Sequence, residues 1–334
     1  MAGCVPGDTD SMTGYAVFGT EVEVHLRDTG PSESQAAYAE VGRLLQRLHR
    51  DLHPWEDGAL MDLNRAIAAG ERHETTPEIV ELIEAGQALE AATEGAFNPA
   101  AGALVNLWGF HTSSYPITDP PPTPAEVAAL LDGAPSLRDL SLDGPVVSSA
   151  NPAVRLDFSG LAKGLAVRRV CEQLAGYEIG AAMVNAGGDV MVCSVGERPW
   201  RVAVRAPDGG VLETIEVDRP LAVFTSGNYY RYGEFEGERY AHILDPATGR
   251  PADEVMQATV VHPDPLLADA AATALVVAGS EKWRSIARAL KIERGIVVDQ
   301  SRDIQQIRQF KASTMAQPKP ESGREESINK YHAF

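Results

Sequence analysis

The sequence predicts an α+β fold, in which helices and antiparallel strands are built from separate stretches of a 334-residue chain. Apolar side chains recur at helical spacing along residues 37–52 and 79–89, whereas residues 200–205 alternate between apolar and polar with the period of a strand. Strands at 211–217 and 220–225 extend this into a predicted antiparallel meander. The chain has no Gly-x-Gly-x-x-Gly and no Gly-x-x-x-x-Gly-Lys-Ser/Thr, which disfavours a nicotinamide dehydrogenase and a P-loop protein.

Strands and capped helices are predicted in the first third of the chain. Residues 17–26 alternate between apolar and polar side chains and are predicted to form the first strand. Ser32 or Ser34 is expected to cap the helix that follows. Thr76, with a proline directly after it, is expected to cap the next helix, which Gly95 ends.

The middle of the chain begins with a proline-rich loop over residues 112–124. Thr123 and Glu126 then fit a capping box for a short helix that ends near Leu131. Further strands are predicted at residues 139–142, 146–149, 154–157, 182–185, 190–194, 239–244, 258–262 and 296–299. Further helices are predicted at residues 265–279, which are almost wholly apolar and hence buried, and at residues 281–290.

One strand–turn–helix stretch, residues 154–174, has the character of an anion site. The strand ends at Asp157, small residues make the turn, and the helix opens with Lys163 in its first turn. Turn glycines allow close approach to the backbone, and unpaired N–H groups at a helix N-terminus favour anions. The alternative is an ordinary connection in which Lys163 is solvated.

The charge balance restricts the class of partner. A net charge of -18 argues against nucleic acid and anionic membrane, because both require a basic surface. An anionic substrate must therefore be held by local positive groups or by a metal. No apolar run is long enough to span a bilayer.

The three cysteines do not form a disulfide framework by their number or spacing. Cys171 and Cys193 lie in apolar segments and are expected to be buried free thiols. Met1-Ala-Gly-Cys4 looks like the end of a bacterial lipoprotein signal without the preceding apolar region, so either the true start lies upstream or the match is chance.

Two polar groupings have catalytic potential. Asp269 and Thr273 lie four residues apart on the apolar helix, and a buried carboxylate with a hydroxyl is a setting that Mg²⁺ prefers. The alternative is that Asp269 caps a helix or pairs with an arginine while Thr273 bonds its own backbone. His242 lies at the end of a predicted strand, beside Asp245, and could act as a general base or be purely structural.

Seven motifs occur in order along the chain. They are Phe-Gly-Thr20, Thr-Glu-Gly-Ala-Phe-Asn-Pro99, Asp157 to Gly164, Asn-Ala-Gly-Gly-Asp189, Thr-Ser-Gly-Asn-Tyr-Tyr-Arg231, His-Ile-Leu-Asp-Pro-Ala-Thr-Gly249 and Asp-Ala-Ala-Ala-Thr273. From about residue 17 to residue 300 the chain resembles the FAD:protein FMN transferases, the ApbE-like family once called thiamine-biosynthesis lipoproteins. The resemblance implies two interleaved α+β subdomains with antiparallel sheets and a central flavin cleft.

The resemblance also implies a reaction. FAD is split at its pyrophosphate, FMN is joined by a phosphoester bond to a Thr or Ser of an acceptor protein, and AMP leaves. Mg²⁺ is the implied cofactor, held by the Gly160 carbonyl, Asp269 and Thr273, and His242 is the implied base. The implied FAD contacts are Phe18, Trp55, Ala96, Phe97, Asn98, Asp157, Lys163, Ser226, Arg231 and Leu244.

The chain departs from the family pattern at a few of these positions. Asn98 and Ser159 stand where the family usually has Asp and Gly, and Phe18 stands where it often has Met. An amide still accepts a hydrogen bond but brings no charge, so FAD affinity is expected to differ. No metal ligand is lost, and an active enzyme is expected.

The predicted organisation is a leader or linker at residues 1–14, a transferase domain at 15–310 and a disordered tail at 311–334. By resemblance, the acceptors are flavin subunits of membrane redox complexes and the enzyme lies at the periplasmic side of the membrane, with Cys4 as a candidate lipid anchor. The chain as given has no export signal, which leaves a cytoplasmic location open. An FAD carrier, or an FAD pyrophosphate hydrolase without an acceptor, would share the same cofactor positions.

Overall fold

The computed structural model describes residues 10–308. The helices in this range are α1 (Pro31–Asp51), α2 (Ala59–Ala69), α3 (Pro77–Ala92), α4 (Gly102–Leu107), α5 (Pro124–Leu131), α6 (Ala162–Leu174), α7 (Pro265–Val277) and α8 (Gly279–Ala289). The strands are β1 (Ser11–Val17), β2 (Thr20–Arg27), β3 (His73–Glu74), β4 (Leu140–Asp143), β5 (Val146–Ser149), β6 (Ala181–Ala186), β7 (Asp189–Ser194), β8 (Trp200–Arg205), β9 (Val211–Val217), β10 (Leu221–Gly227), β11 (Tyr232–Phe235), β12 (Glu238–Ala241), β13 (Leu244–Asp245), β14 (Arg250–Pro251), β15 (Val255–His262), β16 (Arg294–Asp299) and β17 (Ile304–Arg308).

An antiparallel sheet in the order β1-β2-β6-β7-β10-β15-β16-β17 forms the centre of the fold. The chain leaves this sheet after β2 and returns at β6, and the intervening segment contains α1 to α6 and the small sheet β3-β5-β4. Strands and helices from two chain segments therefore interleave. The α+β fold with antiparallel sheets that the sequence predicts is confirmed.

The two faces of the central sheet are covered by different structures. Helices α1, α6 and α7 pack on one face, where Phe158, Phe224 and Leu26 are among the largest fully buried side chains. The β8–β9 hairpin covers the other face with a smaller apolar cluster that includes Trp200 and Val192. Burying both faces explains why β7 and β10 are apolar on successive residues.

Local signals for helices are largely confirmed. Thr76 caps α3 by accepting the Ile79 N–H, and Thr123 and Glu126 form both bonds of the capping box at α5. Helix α7 is buried as expected, because it is packed against β10, β15, α6 and α8. The N-cap of α1 is Gly30 rather than Ser32 or Ser34.

The predicted first strand is wrong in its extent. Residues 17–26 contain a two-residue turn at Phe18 and Gly19, with φ of 55° and 66°, that joins β1 to β2. Two successive positive φ angles match the twist of a tight hairpin. Strand β1 was missed because it lies at the sheet edge and buries little beyond Val17.

The predicted meander is also wrong. Strands β8 and β9 pair only with each other in the described chain, whereas β10 pairs with β7 and β15 inside the central sheet. Residues 154–157 form no strand; Arg155 makes an isolated bridge to Ala101. The strand predicted at 239–244 is divided between β12 and β13. Partners distant in the chain decided the place of β10, whereas β12 and β13 belong to two separate local pairs, β11–β12 and β13–β14.

The prediction of free thiols at Cys171 and Cys193 is wrong, because the two residues form a disulfide. Helix α6 packs across β6 and β7, which brings the Cα atoms of the two cysteines to 5.2 Å, within the range for a disulfide. The two cysteines are 22 residues apart in the sequence, so no local pattern indicates the bond. Cys4 and the predicted tail at 311–334 lie outside the described residues.

Within residues 10–308, none of the helices combines the length and the apolar character needed to cross a bilayer.

Candidate active site

A cleft of about 1250 Å³ lies between α6, α7, the turn that joins β1 to β2 and the loops of the inserted segment. Every residue that the sequence predicts for the site lines this cleft. They are Phe18, Trp55, Ala96, Phe97, Asn98, Asp157, Gly160, Lys163, Ser226, Arg231, His242, Leu244, Asp269 and Thr273. The fold therefore brings together side chains from positions more than 250 residues apart.

Helices α6 and α7 form one side of the cleft, here called the helical wall. They approach closely because Gly164 has no side chain: a Cβ there would lie 2.6 Å from the Pro265 carbonyl oxygen. At this contact, Asp269 Oδ2 of α7 accepts the Gly164 N–H at 2.8 Å. Asp269 therefore satisfies an N–H group in the first turn of α6 that has no partner within its own helix. The alternative that Asp269 caps a helix is thus realised, and the capped helix is α6.

Asp269 is a buried carboxylate with little compensation. Only 3% of the residue is exposed. Burial raises the pKa of Asp269, while the charge of Lys163 and the Gly164 N–H lower it less. A cation beside Asp269 would stabilise its charged form.

Residues with oxygen atoms suited to such a cation line the same cleft as Asp269. Thr273 Oγ1 lies 3.0 Å from Ser226 Oγ, and a Cβ on Gly160 would lie 3.5 Å from the same Thr273 oxygen. A carboxylate, hydroxyls and a nearby backbone carbonyl form a donor set that Mg²⁺ accepts, with water completing its coordination. No cluster of three or more His, Cys, Asp or Glu side chains with metal-site geometry occurs within residues 10–308.

Lys163 is partly buried and donates a hydrogen bond to Asp189. Asp189 was not among the predicted site residues, although it ends one of the seven motifs. Its other oxygen accepts the Thr225 N–H at 2.8 Å, so Asp189 ties α6 to β10. The pKa of Lys163 is lowered, mainly by burial and further by the charge of Arg231, although the charge of Asp269 raises it.

His242 has the hydrogen bonding of a neutral base. Its Nδ1 lies 3.0 Å from the Arg231 carbonyl oxygen, which can only accept, so Nδ1 carries the proton and Nε2 keeps a lone pair. Burial, together with the charges of Arg231 and Lys163, lowers the pKa of His242 to about 4, even though the bond to the Arg231 carbonyl raises it. His242 is therefore unprotonated at neutral pH.

Arg231 contacts residues from two other segments that line the cleft. Its guanidinium donates to the Gly19 carbonyl oxygen at 3.1 Å and lies 6.0 Å from the centre of the Tyr115 ring. The neighbouring Tyr230 is 71% exposed and lines the same cleft. The segment between β10 and β11 thus presents a cation and an aromatic ring to whatever enters the cleft.

A row of rings also lines the cleft and is here called the aromatic wall: Phe18, His49, His53, Trp55 and His111. Successive ring centres lie 5.5, 5.2, 4.4 and 5.2 Å apart, and the last pair, Trp55 and His111, is stacked at 23°. Phe18 and Trp55 were predicted as flavin or adenine contacts. Such rings offer faces for a planar ligand.

Asp157 lies where the two walls meet. Its Oδ2 accepts from His111 Nε2 at 3.0 Å, and its Oδ1 accepts the N–H and Oγ–H of Ser159 at 2.8 and 2.6 Å. Burial raises the pKa of Asp157, but the bonds from His111 and Ser159 outweigh it and hold the pKa below its usual range. Sequence reasoning missed His111; its place directly after the apolar cluster that ends at Phe110 was the available signal.

Asn98 has a structural explanation that the sequence did not reveal. Its amide donates to the Pro135 carbonyl oxygen at 2.8 Å, and its side-chain oxygen accepts the Ala100 N–H at 2.9 Å. The side chain therefore orders the loop that begins at Asn98 and ties it to Pro135. Ala96, Phe97 and Leu244 line the cleft mainly as apolar surface.

Comparison with known proteins identifies relatives over most of the chain. The model of the ApbE family matches residues 18–296. A protein of Rhodobacter capsulatus named FAD:protein FMN transferase is 42% identical over 280 residues, which cover 83% of this chain and 53% of that protein. A protein of the same name from Vibrio cholerae is 30% identical over 298 residues, covering 87% of this chain and 88% of that one. The chain thus spans about half the length of the Rhodobacter relative and most of the Vibrio one.

Solved structures share the fold. The ApbE protein of Thermotoga maritima superposes with a TM-score of 0.81 at 28% identity, covering 89% of this chain and 96% of that chain. The flavin transferase ApbE of Vibrio cholerae superposes with a TM-score of 0.77 at 28% identity, covering 90% and 96%. The likeness extends across both the central sheet and the inserted segment.

Proposed function

The chain belongs to the ApbE family, and from this premise we propose that it is an FAD:protein FMN transferase that joins FMN to a Thr or Ser hydroxyl of an acceptor protein and releases AMP. One observation carries the proposal: a neutral histidine with a free Nε2 lines the same cleft as a buried carboxylate–hydroxyl pair. Transfer to a hydroxyl needs both a base and a means of balancing phosphate charge.

We propose Mg²⁺ as the cofactor, held by Asp269, Thr273 and the Gly160 carbonyl. The support is chemical: these groups are oxygen donors, and the Asp269 carboxylate is buried without a full positive partner. When bound, the metal would polarise the pyrophosphate and neutralise charge on the leaving phosphate. The overall charge of -18 disfavours binding of the anionic FAD. Lys163 and Arg231, which line the cleft, would offset this by adding local positive charge.

His242 is proposed to take the proton of the acceptor hydroxyl on Nε2. The hydroxyl oxygen then bonds to the phosphorus on the FMN side, and the bond from this phosphorus to the oxygen of the AMP phosphate breaks. Burial is the main cause of the His242 pKa of about 4, and the charges of Arg231 and Lys163 lower it further, so an anionic substrate that offsets these charges would raise the pKa toward the useful range.

The proposed acceptors are flavin subunits of membrane redox complexes, and the proposed location is the periplasmic side of the membrane. The Cys171–Cys193 disulfide supports an oxidising compartment, because such bonds are rare in the reducing cytosol. The lipid anchor at Cys4 rests on the sequence pattern alone.

An assay with three outcomes tests the proposal. The purified protein is incubated with FAD, magnesium and a flavin-acceptor domain, beside the same domain with its acceptor Thr changed to Ala. Covalent flavin is followed by in-gel fluorescence and AMP by chromatography. Flavin on the intact acceptor alone, with matching AMP, is expected; FMN and AMP without labelled acceptor would indicate the hydrolase, and intact bound FAD the carrier.

A further inference from the structure

His111 is held from two directions at the junction of the two walls. Its side chain is only 4% exposed, its ring is stacked on Trp55, and its Nε2 lies 3.0 Å from Asp157 Oδ2. Because a carboxylate in its charged form only accepts, Nε2 is the donor in this bond. The other nitrogen, Nδ1, is buried and has no hydrogen-bond partner. The hydrogen bond to Asp157 is therefore the one polar contact that the His111 ring makes within the described residues.

Asp157 in turn holds the turn that leads into α6. Its Oδ1 accepts two bonds from Ser159, the residue directly before Gly160. Gly160 lies against Thr273 and against the Phe97 ring, where a Cβ would lie 2.9 Å from the nearest ring carbon. A small rotation of the Asp157 carboxylate would therefore move a backbone segment that faces the oxygen donors of the helical wall.

We propose that His111 is a positioning residue, which fixes the Asp157 carboxylate so that the turn to Gly160 presents its carbonyl beside Thr273. The inference rests on the proposed function, since it assigns His111 to the arrangement of the magnesium ligands. It also gives Ser159 a role, because the Ser159 hydroxyl completes the same set of bonds. The low pKa of Asp157 is consistent with this arrangement.

Purely structural packing predicts a different pattern of substitutions. If only the stacked ring mattered, Phe would replace His111 without loss, because it retains the contact with Trp55. If the donated hydrogen bond matters, Phe would fail and Gln, which lacks the ring but carries an N–H donor of similar reach, would restore most of the function. The pair His111→Phe and His111→Gln therefore separates the two roles.

The experiment compares wild type, His111→Phe, His111→Gln and Ser159→Ala in three measurements: magnesium affinity with FAD bound and no acceptor, flavin transfer at saturating FAD, and the melting temperature. For His111→Phe we expect roughly 10–100-fold weaker magnesium binding and a similar loss of kcat, with FAD affinity changed much less. His111→Gln is expected to recover most of both, and Ser159→Ala to show a smaller loss.

Unchanged magnesium affinity in His111→Phe would overturn the inference, as would a Gln variant no better than the Phe variant. A wild-type protein that binds FAD and magnesium but transfers no flavin would contradict the proposed function instead. In that case the magnesium titrations, which need no turnover, still decide the role of His111.

Discussion

The helical wall and the rest of the cleft differ in how their site residues are held in place. On the helical wall, the charged and hydroxyl side chains belong to regular helices, and Asp269 of α7 accepts a hydrogen bond from the first turn of α6. Elsewhere in the cleft, His242 is held by a hydrogen bond to the Arg231 carbonyl. The aromatic wall, in which only His49 belongs to a helix, is held by ring contacts and by backbone N–H groups that donate to His49 and His53. Helix packing thus fixes Asp269, whereas Asp157, His111 and His242 are fixed by hydrogen bonds between loop residues.

The strongest test of this contrast is Asp269→Asn. The amide oxygen can still accept the Gly164 N–H, so the fold is expected to persist, but the negative charge is lost. Transfer should fall by roughly 10⁴-fold, because metal stabilisation is worth several kcal/mol. Magnesium-dependent flavin transfer measures the effect.

The matched control is Asp253→Asn, which changes an exposed aspartate and should leave transfer unaltered. A fully active, metal-responsive Asp269→Asn protein would remove Asp269 from the ligand set.

On the loop side, His242→Gln is expected to retain FAD binding and lose roughly 10³-fold in transfer, as expected for removal of a general base. Fluorescence titration measures FAD affinity, and acceptor labelling measures transfer. Undiminished labelling would show that another group takes the proton.

The same histidine predicts a dependence of stability on pH. Its pKa is about 4 in the folded protein and 6.5 in an unfolded chain, so the unfolded state binds the proton more readily between these values. The free energy of unfolding should therefore fall as the pH is lowered from 6.5 to 4, and fall less in His242→Gln. Urea denaturation at pH 7 and pH 4.5 tests this; identical losses in both proteins would contradict it.

The disulfide links α6, which is part of the helical wall, to β7 in the central sheet. Replacing both cysteines with alanine should lower the free energy of unfolding by about 3 kcal/mol, given the separation of 22 residues. Transfer at 25 °C should stay within about twofold, since a change outside the site leaves transition-state contacts intact. Loss of transfer without loss of stability would indicate that the disulfide orients Lys163 or Gly164.

The smallest expected effect is at Asn98. Asn98→Asp keeps an acceptor for the Ala100 N–H but places an oxygen against the Pro135 carbonyl. The cost should be about 1–2 kcal/mol of unfolding free energy. Asn106→Asp, at an exposed position in α4, provides the control for added charge. Equal stability of the two variants would mean that the loop re-forms its bonds.

Much of this protein follows from sequence patterns alone. The caps at Thr76 and Thr123, the buried helix α7 and the antiparallel α+β class were predicted correctly, because periodicity and capping depend on residues a few positions apart. The motifs also selected a set of side chains that all line one cleft.

Only the tertiary structure decided which distant segments meet. The pairing of β10 with β7, the disulfide, the Lys163–Asp189 ion pair and the His111–Asp157 bond all join residues that no local pattern connects. Their partners are chosen by how helices and loops pack on the sheet, a property of the whole chain. Local physics selected the elements and long-range packing selected their contacts.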